Sequence, residues 1–473
     1  MKLQHILYKS AIVGVLLTGA VSCSKDFIDL DNPQSLPLEG TIKDLNSLTN
    51  ASNGVYSYFQ EVDYYNRTFI LFPDLVSDNA FISRRNVGFY LNYDNAALSS
   101  NDNNALGAWA AMYRVISNAN LAIAAGEALT VSADQQASVN QVIGEMYAAR
   151  ALAHFDLVRL FAQPYTFTAG ASHPGVPIVT TPQKEIAFPA RNTVKEVYDQ
   201  VIADFTKALT LLNVAKKGGY FTPDAAKALL SKVYLYKEDW ASAENLASQV
   251  IASGNHNLLT NAQYVGSWGE DFSPESIFEI ENAPTDRAAV NGIGFFYEQT
   301  AYGDALATKD LYDTYAATDV RKQLIEEGVR ENAEDPAYIV HKYPKGLTTQ
   351  DDNIKVIRLS EVYLIRAEAL ASQPGKEVQA LADLNTIIKR ADPMALAVTV
   401  TGQALIDRII LERRKELAFE GNRLFDLTRR KMDVPLIQSD KTTVIPYGAS
   451  RLILPIPLSE KNANPDIQQN EGY

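Results

Sequence analysis

Cysteine and histidine are nearly absent from this chain. One cysteine, Cys23, stands among 473 residues, so no intramolecular disulfide and no thiolate zinc site can form. The five histidines, His5, His154, His173, His256 and His341, are scattered, and no two share a short helix face. His154, on an apolar helical stretch, reads as a core residue. No H-E-x-x-H, G-x-S-x-G or phosphate-binding P-loop occurs. Gly292-Ile293-Gly294 lacks the rest of a dinucleotide fingerprint and reads as a turn. Basic charge is also in deficit, with 43 Lys and Arg against 56 Asp and Glu and a formal net charge of -13. An acidic chain without a long Lys/Arg run is poorly suited to nucleic acid, where affinity rests on neutralising phosphates. It is equally unsuited to holding anionic lipid by charge alone, and a neutral ligand fits it better.

Acids are plentiful. Two of Asp271, Glu275, Glu279 and Glu281 at the right separation would make a glycosidase pair, but chain spacing gives no such separation, and they are expected as solvated surface acids. Asp102-Asn103-Asn104 and Asp351-Asp352-Asn353 offer oxygens for calcium without an EF-hand loop. The sequence therefore predicts no catalytic residue, no metal and no cofactor.

Residues 1–22 read as a signal peptide. Lys2 and Lys9 form a positive start, and Ala11 to Val21 an uncharged, mostly apolar stretch of about 11 residues, against the ~20 that span a bilayer. Ala20-Val21-Ser22 before Cys23 resembles the lipobox of bacterial lipoproteins, with Ala20 where the commonest pattern has Leu. The resemblance implies cleavage and acylation at Cys23, and multiple acyl chains give stable anchoring. Ser24-Lys25-Asp26 resembles a signal that sends such proteins to the outer face. Residues 23–40, polar and proline-containing, read as a tether.

The body, 41–473, reads as one domain of helix pairs. Apolar residues recur at helical spacing over Gly107–Leu129 (Trp109, Met112, Tyr113, Ile116, Ile123) and over Ala133–Phe161, with Pro164 just beyond. Thr193–Leu212 is a third helix. Thr222-Pro223-Asp224 opens a fourth, with Pro in the first turn, and ASAENLASQVIAS follows directly as its partner. A pair of about 34 residues with small residues at Ala225, Ala228, Ala241, Ala243 and Ala247 looks like a tetratricopeptide repeat. Residues 358–370 with 378–390 suggest another pair, and 402–431 are predicted helical throughout. The fold class is mainly α: a tetratricopeptide-like scaffold with irregular, loop-rich inserts at about 56–104 and 255–345 and a few short strands. Strands are expected at Ser276–Glu281 and Tyr338–Lys342. Arg413, Arg414, Glu416, Glu420, Arg423 and Asp426 fall close together in helical spacing and predict a structural ion network.

Several stretches together resemble one family, the SusD/RagB outer-membrane lipoproteins. They are GEMYAARALAHFDLVRLFAQPY (144–165), RLSEVYLIRAEAL (358–370), ERRKELAFEGNRLFDLTR (412–429) and ILPIPLSEKNANPDIQQNEGY (453–473). LVSDNA (75–80) followed by AWAAMYRVISNAN (108–120) fits the N-terminal half. The resemblance implies a SusD-like helical fold and a partner, a TonB-dependent SusC-like transporter of the outer membrane. On that barrel the lipoprotein would act as a lid that hands over an oligosaccharide; some relatives take peptides.

A sugar offers apolar C–H faces and a rim of hydroxyls, so its site needs flat aromatic rings beside forked polar side chains. Arg84 to Asp94 in the first insert has that mixture. In the second, Tyr264, Trp268, Phe295, Phe296, Tyr297 and Tyr302 lie near glycines. Arg85, Asn86, Tyr90, Asn92, Tyr93, Trp268, Phe296 and Tyr297 are the expected ligand-binding residues, with Tyr64 and Tyr65 in reserve. Alternatives are peptide capture on the same architecture, a surface glycosidase, and a repeat scaffold without a small ligand.

Overall fold

Helices with one apolar face cannot bury it alone, and this chain does so by stacking them in sequence. The computed structural model describes residues 41–183, 187–214 and 218–473; the expected signal peptide and tether lie outside them. Helix α1 (Leu45–Phe59) starts at a capping box in which Asp44 and Ser47 exchange bonds. The short, fully buried α2 (Thr68–Leu75) follows. The long helices are α3 (Asn103–Ala128), α4 (Gln136–Phe161), α5 (Val194–Leu211), α6 (Pro223–Tyr236) and α7 (Trp240–Ser253). The second half adds α8 (Leu359–Ala371), α9 (Glu377–Ala391), α10 (Gln403–Glu416) and α11 (Arg423–Arg429). Neighbours in sequence pack as pairs from α3 to α7. α8 packs against α7, α9 and α10, which joins the two halves. Residues Asp44–Tyr473 form one compact unit.

The close approach of α6 and α7 depends on Ala225, Ala228, Ala243 and Ala247, all buried; Ala241, expected with them, is exposed in the first turn of α7 and takes no part in that approach. Leu364, Leu370, Leu384, Ile387, Leu405 and Ile409 make a core between α8, α9 and α10. α4 is buried over nearly its whole second half, and His154 lies within it. Burial pushes its imidazole pKa down to about 3, so it is a neutral core residue.

Eight short strands form four antiparallel pairs among the described residues. They are β1 (Ala80–Ile82) with β3 (Ala305–Ala307), β2 (Ser276–Ile280) with β6 (Ile354–Arg358), β4 (Ile325–Gly328) with β5 (Ala337–Val340), and β7 (Val434–Ile437) with β8 (Thr442–Ile445). β2 matches the sequence expectation to one residue, and β5 overlaps the second expected strand. The β1–β3 ladder ties the first insert to the second.

Two expectations need correction. The helix expected throughout 402–431 breaks between α10 and α11, where Phe419 and Gly421 have φ of 64° and 73°. The break turns Glu416 and Glu420 into a buried charge cluster. A Cβ at Gly421 would lie 3.1 Å from the Ile70 Cα, so only glycine fits that approach. Glu275 and Glu279, expected as surface acids, are buried. Glu275 holds Arg358 at 2.6 Å and Arg390 at 2.7 Å, and Glu279 accepts the Phe272 N–H at 3.0 Å.

Candidate functional site

Most of the aromatic residues expected at the ligand turn inward. Tyr90, Tyr93, Trp268, Phe296 and Tyr297 are all buried, as are Tyr64 and Tyr65. Tyr64 and Tyr65 both donate to Asp156, at 2.6 and 2.7 Å. Tyr93 and Asn92 bond the two carboxylate oxygens of Asp102, which also caps α3 through the Ala105 N–H. Asp102 is thus a cap, and among the described residues no group of three His, Cys, Asp or Glu side chains could hold a metal ion. Trp268 covers three cations, with Lys342 Nζ at 4.2 Å, Arg358 Cζ at 5.2 Å and Lys355 Nζ at 5.3 Å from its ring. It belongs to the charge cluster rather than to an open platform. Phe296 and Tyr297 lie on the inner side of the turn of helix Ile293–Tyr297, which leaves Phe295 half-exposed.

What the two inserts do bring to the surface is a smaller face. Ser83 to Leu91 forms a loop shaped by Asn86, whose side chain donates to the Ser83 carbonyl and accepts from the Gly88 N–H. Gly88 (φ 96°) and Tyr90 (φ 58°) both sit in the left-handed region. That reversal undoes strand-like alternation: Tyr90 goes in while Phe89, 40% exposed, goes out. The Phe89 ring meets Tyr302 edge-on at 5.7 Å, and Tyr302 meets Phe295 at 5.0 Å. Arg85 and Asn86 stand beside them, exposed and half-exposed.

Arg330 staples this face together. Its guanidinium donates to the Arg85 carbonyl at 3.0 and 2.6 Å, to Gln299 Oε1 at 2.7 Å and to the Tyr302 carbonyl at 3.0 Å. A Cβ at Gly303 would run into that guanidinium. Burial, and behind it the charge of Arg85, draws the Arg330 pKa below the ordinary arginine value. Asp304 binds the Val87 N–H through both oxygens at 3.2 Å, and burial raises its pKa. Glu334 is taken up by Ser83, the Arg84 N–H and Ser439. Sequence reasoning favoured Phe296 and Tyr297 over Phe295 and Tyr302, and passed over Phe89, Arg67 and Arg330. The glycines at 88 and 303 were the signal that the chain reverses there.

A second concavity, a cleft of about 460 Å³, lies between α3, residues 177–183 and 187–189 and the C-terminal segment, lined by Trp109, Tyr113, Pro177, Phe188 and Ile467. It is mostly apolar, with Gln183, Glu460 and Asn464 as its forked polar groups; unlike the Phe89 face, it offers no arginine.

Comparison with known proteins agrees with this architecture. Residues 26–235 match a family described as starch-binding and associating with the outer membrane, and residues 327–473 match the SusD family. The stretch between those matches carries Phe295 and Tyr302. A candidate sugar-binding protein of Bacteroides vulgatus has a crystal structure with TM-score 0.84 and 31% identity, over 92% of this chain and 100% of that one. A SusD superfamily protein of Bacteroides thetaiotaomicron gives TM-score 0.84 and 30% identity, over 90% and 99%. A SusD-like protein P2 of Formosa agariphila is 26% identical over 98% of this chain and 99% of its own. The paired helices, the ordered motifs and these full-length likenesses converge on one assignment: the chain belongs to the SusD/RagB family.

Proposed function

We propose that the chain is a non-catalytic surface lipoprotein, anchored through Cys23, that binds a glycan and delivers it as a lid to a TonB-dependent SusC-like transporter. The observation that carries this reading is the exposed Phe89–Tyr302–Phe295 face, rimmed by Arg85 and Asn86 and fixed by Arg330. Rigid rings supply contact area for the C–H faces of a sugar at low entropy cost, and Arg85 and Asn86 supply donors and acceptors for its hydroxyls. The family descriptions and the sugar-binding relative point to the same ligand class. The acids considered for hydrolysis do not favour an enzyme: Glu275 has both oxygens on arginines, and Asp271 is paired with Lys345. Capture then delivery needs only modest affinity, because a ligand held too tightly would not be released.

Electrophoresis of the chain through gels containing a panel of polysaccharides tests the binding. Retardation by at least one glycan is expected, together with co-purification of a TonB-dependent barrel from outer membranes. Retention of peptides and of no glycan would replace this reading with peptide capture.

A further inference from the structure

Arg67 is 6% exposed and has no carboxylate within 4.0 Å among the described residues. Its Nε donates to the Tyr90 hydroxyl at 3.0 Å, while its Nη1 is buried without a hydrogen-bond partner. The guanidinium lies 5.4 Å from the ring centres of Phe89 and Tyr90 and 5.8 Å from that of Phe296. Buried charges are normally paired, and an unpaired one is costly. Here a cation that Asp63 and Asp304 answer only through longer-range charge lies against Phe89, the most exposed ring of the proposed ligand face. Arg85 adds a second cation at the rim, exposed and without an ion pair among the described residues; its guanidinium makes a long hydrogen bond, 3.4 Å, to the Glu331 carbonyl. Arg330 adds a third positive charge, whose donors go to Gln299 and to backbone carbonyls. The nearby acids are turned to other partners, Asp304 to the Val87 N–H and Glu334 to Ser83, Arg84 and Ser439. In a chain of net charge -13, this face concentrates positive charge beside aromatic rings.

We propose that the glycan taken at this face is acidic, with a carboxylate or sulfate ester on the ring held by Arg85 while the sugar stacks on Phe89 and Tyr302 above Arg67. This rests on the glycan reading given above and names its ligand class. Guanidinium forks match carboxylate and sulfate oxygens in two-point contacts. The positive charge of Arg67, in a site of low dielectric, acts on the same group through the Phe89 ring.

The experiment uses matched polymers that differ in charge alone: polygalacturonate and its fully methyl-esterified form, and a sulfated galactan and its desulfated form. Titration calorimetry of the native chain and of Arg85→Gln and Phe89→Ala follows each pair at two salt concentrations. Binding of one acidic polymer on the order of tenfold tighter than its neutral counterpart is expected, falling with salt and lost in Arg85→Gln. The pair that discriminates says whether the group is carboxylate or sulfate. Because Arg85 is exposed, its variant is expected to fold; Arg67→Lys, which keeps the charge, should retain part of the preference. Equal binding of charged and neutral forms, abolished by Phe89→Ala, would overturn the acidic ligand and leave the glycan site standing. Binding that Phe89→Ala does not weaken, or no binding to any of the four polymers, would overturn the acidic ligand at this face, and the first of these would also move the glycan site elsewhere.

Discussion

Where α10, the end of β6, the last turn of α9 and the turn Val320–Leu324 meet, Arg321, Arg358 and Arg390 all converge on Glu416, at 2.9, 3.1 and 2.5 Å; beneath the loop at 84–91, Arg67 meets the Tyr90 hydroxyl and three aromatic rings instead, Tyr90 among them. Both groups are buried arginines, and the difference lies in what neutralises them. In the first, each charge answers another, with Glu275, Glu412 and Glu420 completing the set. Such a network turns its charges on one another and works as structure. In the second, no carboxylate is bonded to the guanidinium, and Asp63 and Asp304 answer it only through longer-range charge, which leaves positive potential to act on a ligand.

The comparison breaks most visibly at Glu416. Glu416→Ala leaves three buried guanidiniums short of a partner and should cost about 3–5 kcal/mol, read by urea denaturation; a loss below about 1 kcal/mol would mean that the network is not structural. Trp268→Ala should cost a similar ~3–5 kcal/mol by emptying the space over Lys342, Lys355 and Arg358, while glycan binding per folded molecule stays unchanged. Lost binding at unchanged stability would return Trp268 to the ligand site.

The carboxylates show the same contrast under titration. Asp426 is buried, yet the charges of Arg413 and Arg429 hold its pKa down to about 2. Its stabilisation is therefore present above the unfolded value near 4 and lost as pH falls toward 2. Asp74 is bonded to neutral donors, Asn79 Nδ2 at 2.6 Å and the Gly421 N–H at 3.3 Å, and burial pushes its pKa up to about 7. The folded state then holds a proton that the unfolded chain releases. Stability should fall as pH rises from about 4 to 7, by at most ~1.4 kcal/mol per pH unit from this group. Denaturation midpoints at pH 3 to 8 check both signs, and Asp74→Asn should flatten the upper limb. A midpoint that climbs steadily from pH 4 to 7 would contradict the assignment.

The smallest expected effect on stability is at Phe89. Phe89→Ala removes a half-exposed ring and should change stability by about 0.5 kcal/mol or less, while weakening glycan binding by roughly tenfold, as lost stacking and contact area allow.

The scaffold was legible because helices advertise themselves. The cap at Thr222, the Pro223 start and the small-residue stripe of α6 and α7 follow from short-range rules, and the structure places them as read apart from Ala241, which is exposed; between Asn192 and Thr193, the structure makes Thr193 the cap of α5. An ion network at 413–426 was legible from its run of charges, but of the six residues only Arg413 and Asp426 pair with each other, and the rest find partners outside the segment, such as Asp78, Arg358 and Lys342. The site was legible only as two inserts. Tyr90 and Phe89 differ by one position, and which of them faces water is decided by left-handed turns at 88 and 90. The break at 417–422 was hidden likewise, because its cause lies outside the segment: buried partners for Glu416 and Glu420, and Ile70 pressing on Gly421. Arg67 escaped notice because only its missing partner makes it unusual, and partners are not written in spacing.

The most direct measurement is a crystal structure of the chain soaked with an oligosaccharide it retains. The sugar is expected over Phe89 and Tyr302, with Arg85 within hydrogen-bond distance. Density in the Trp109–Phe188 cleft, with the Phe89 face empty, would contradict the account.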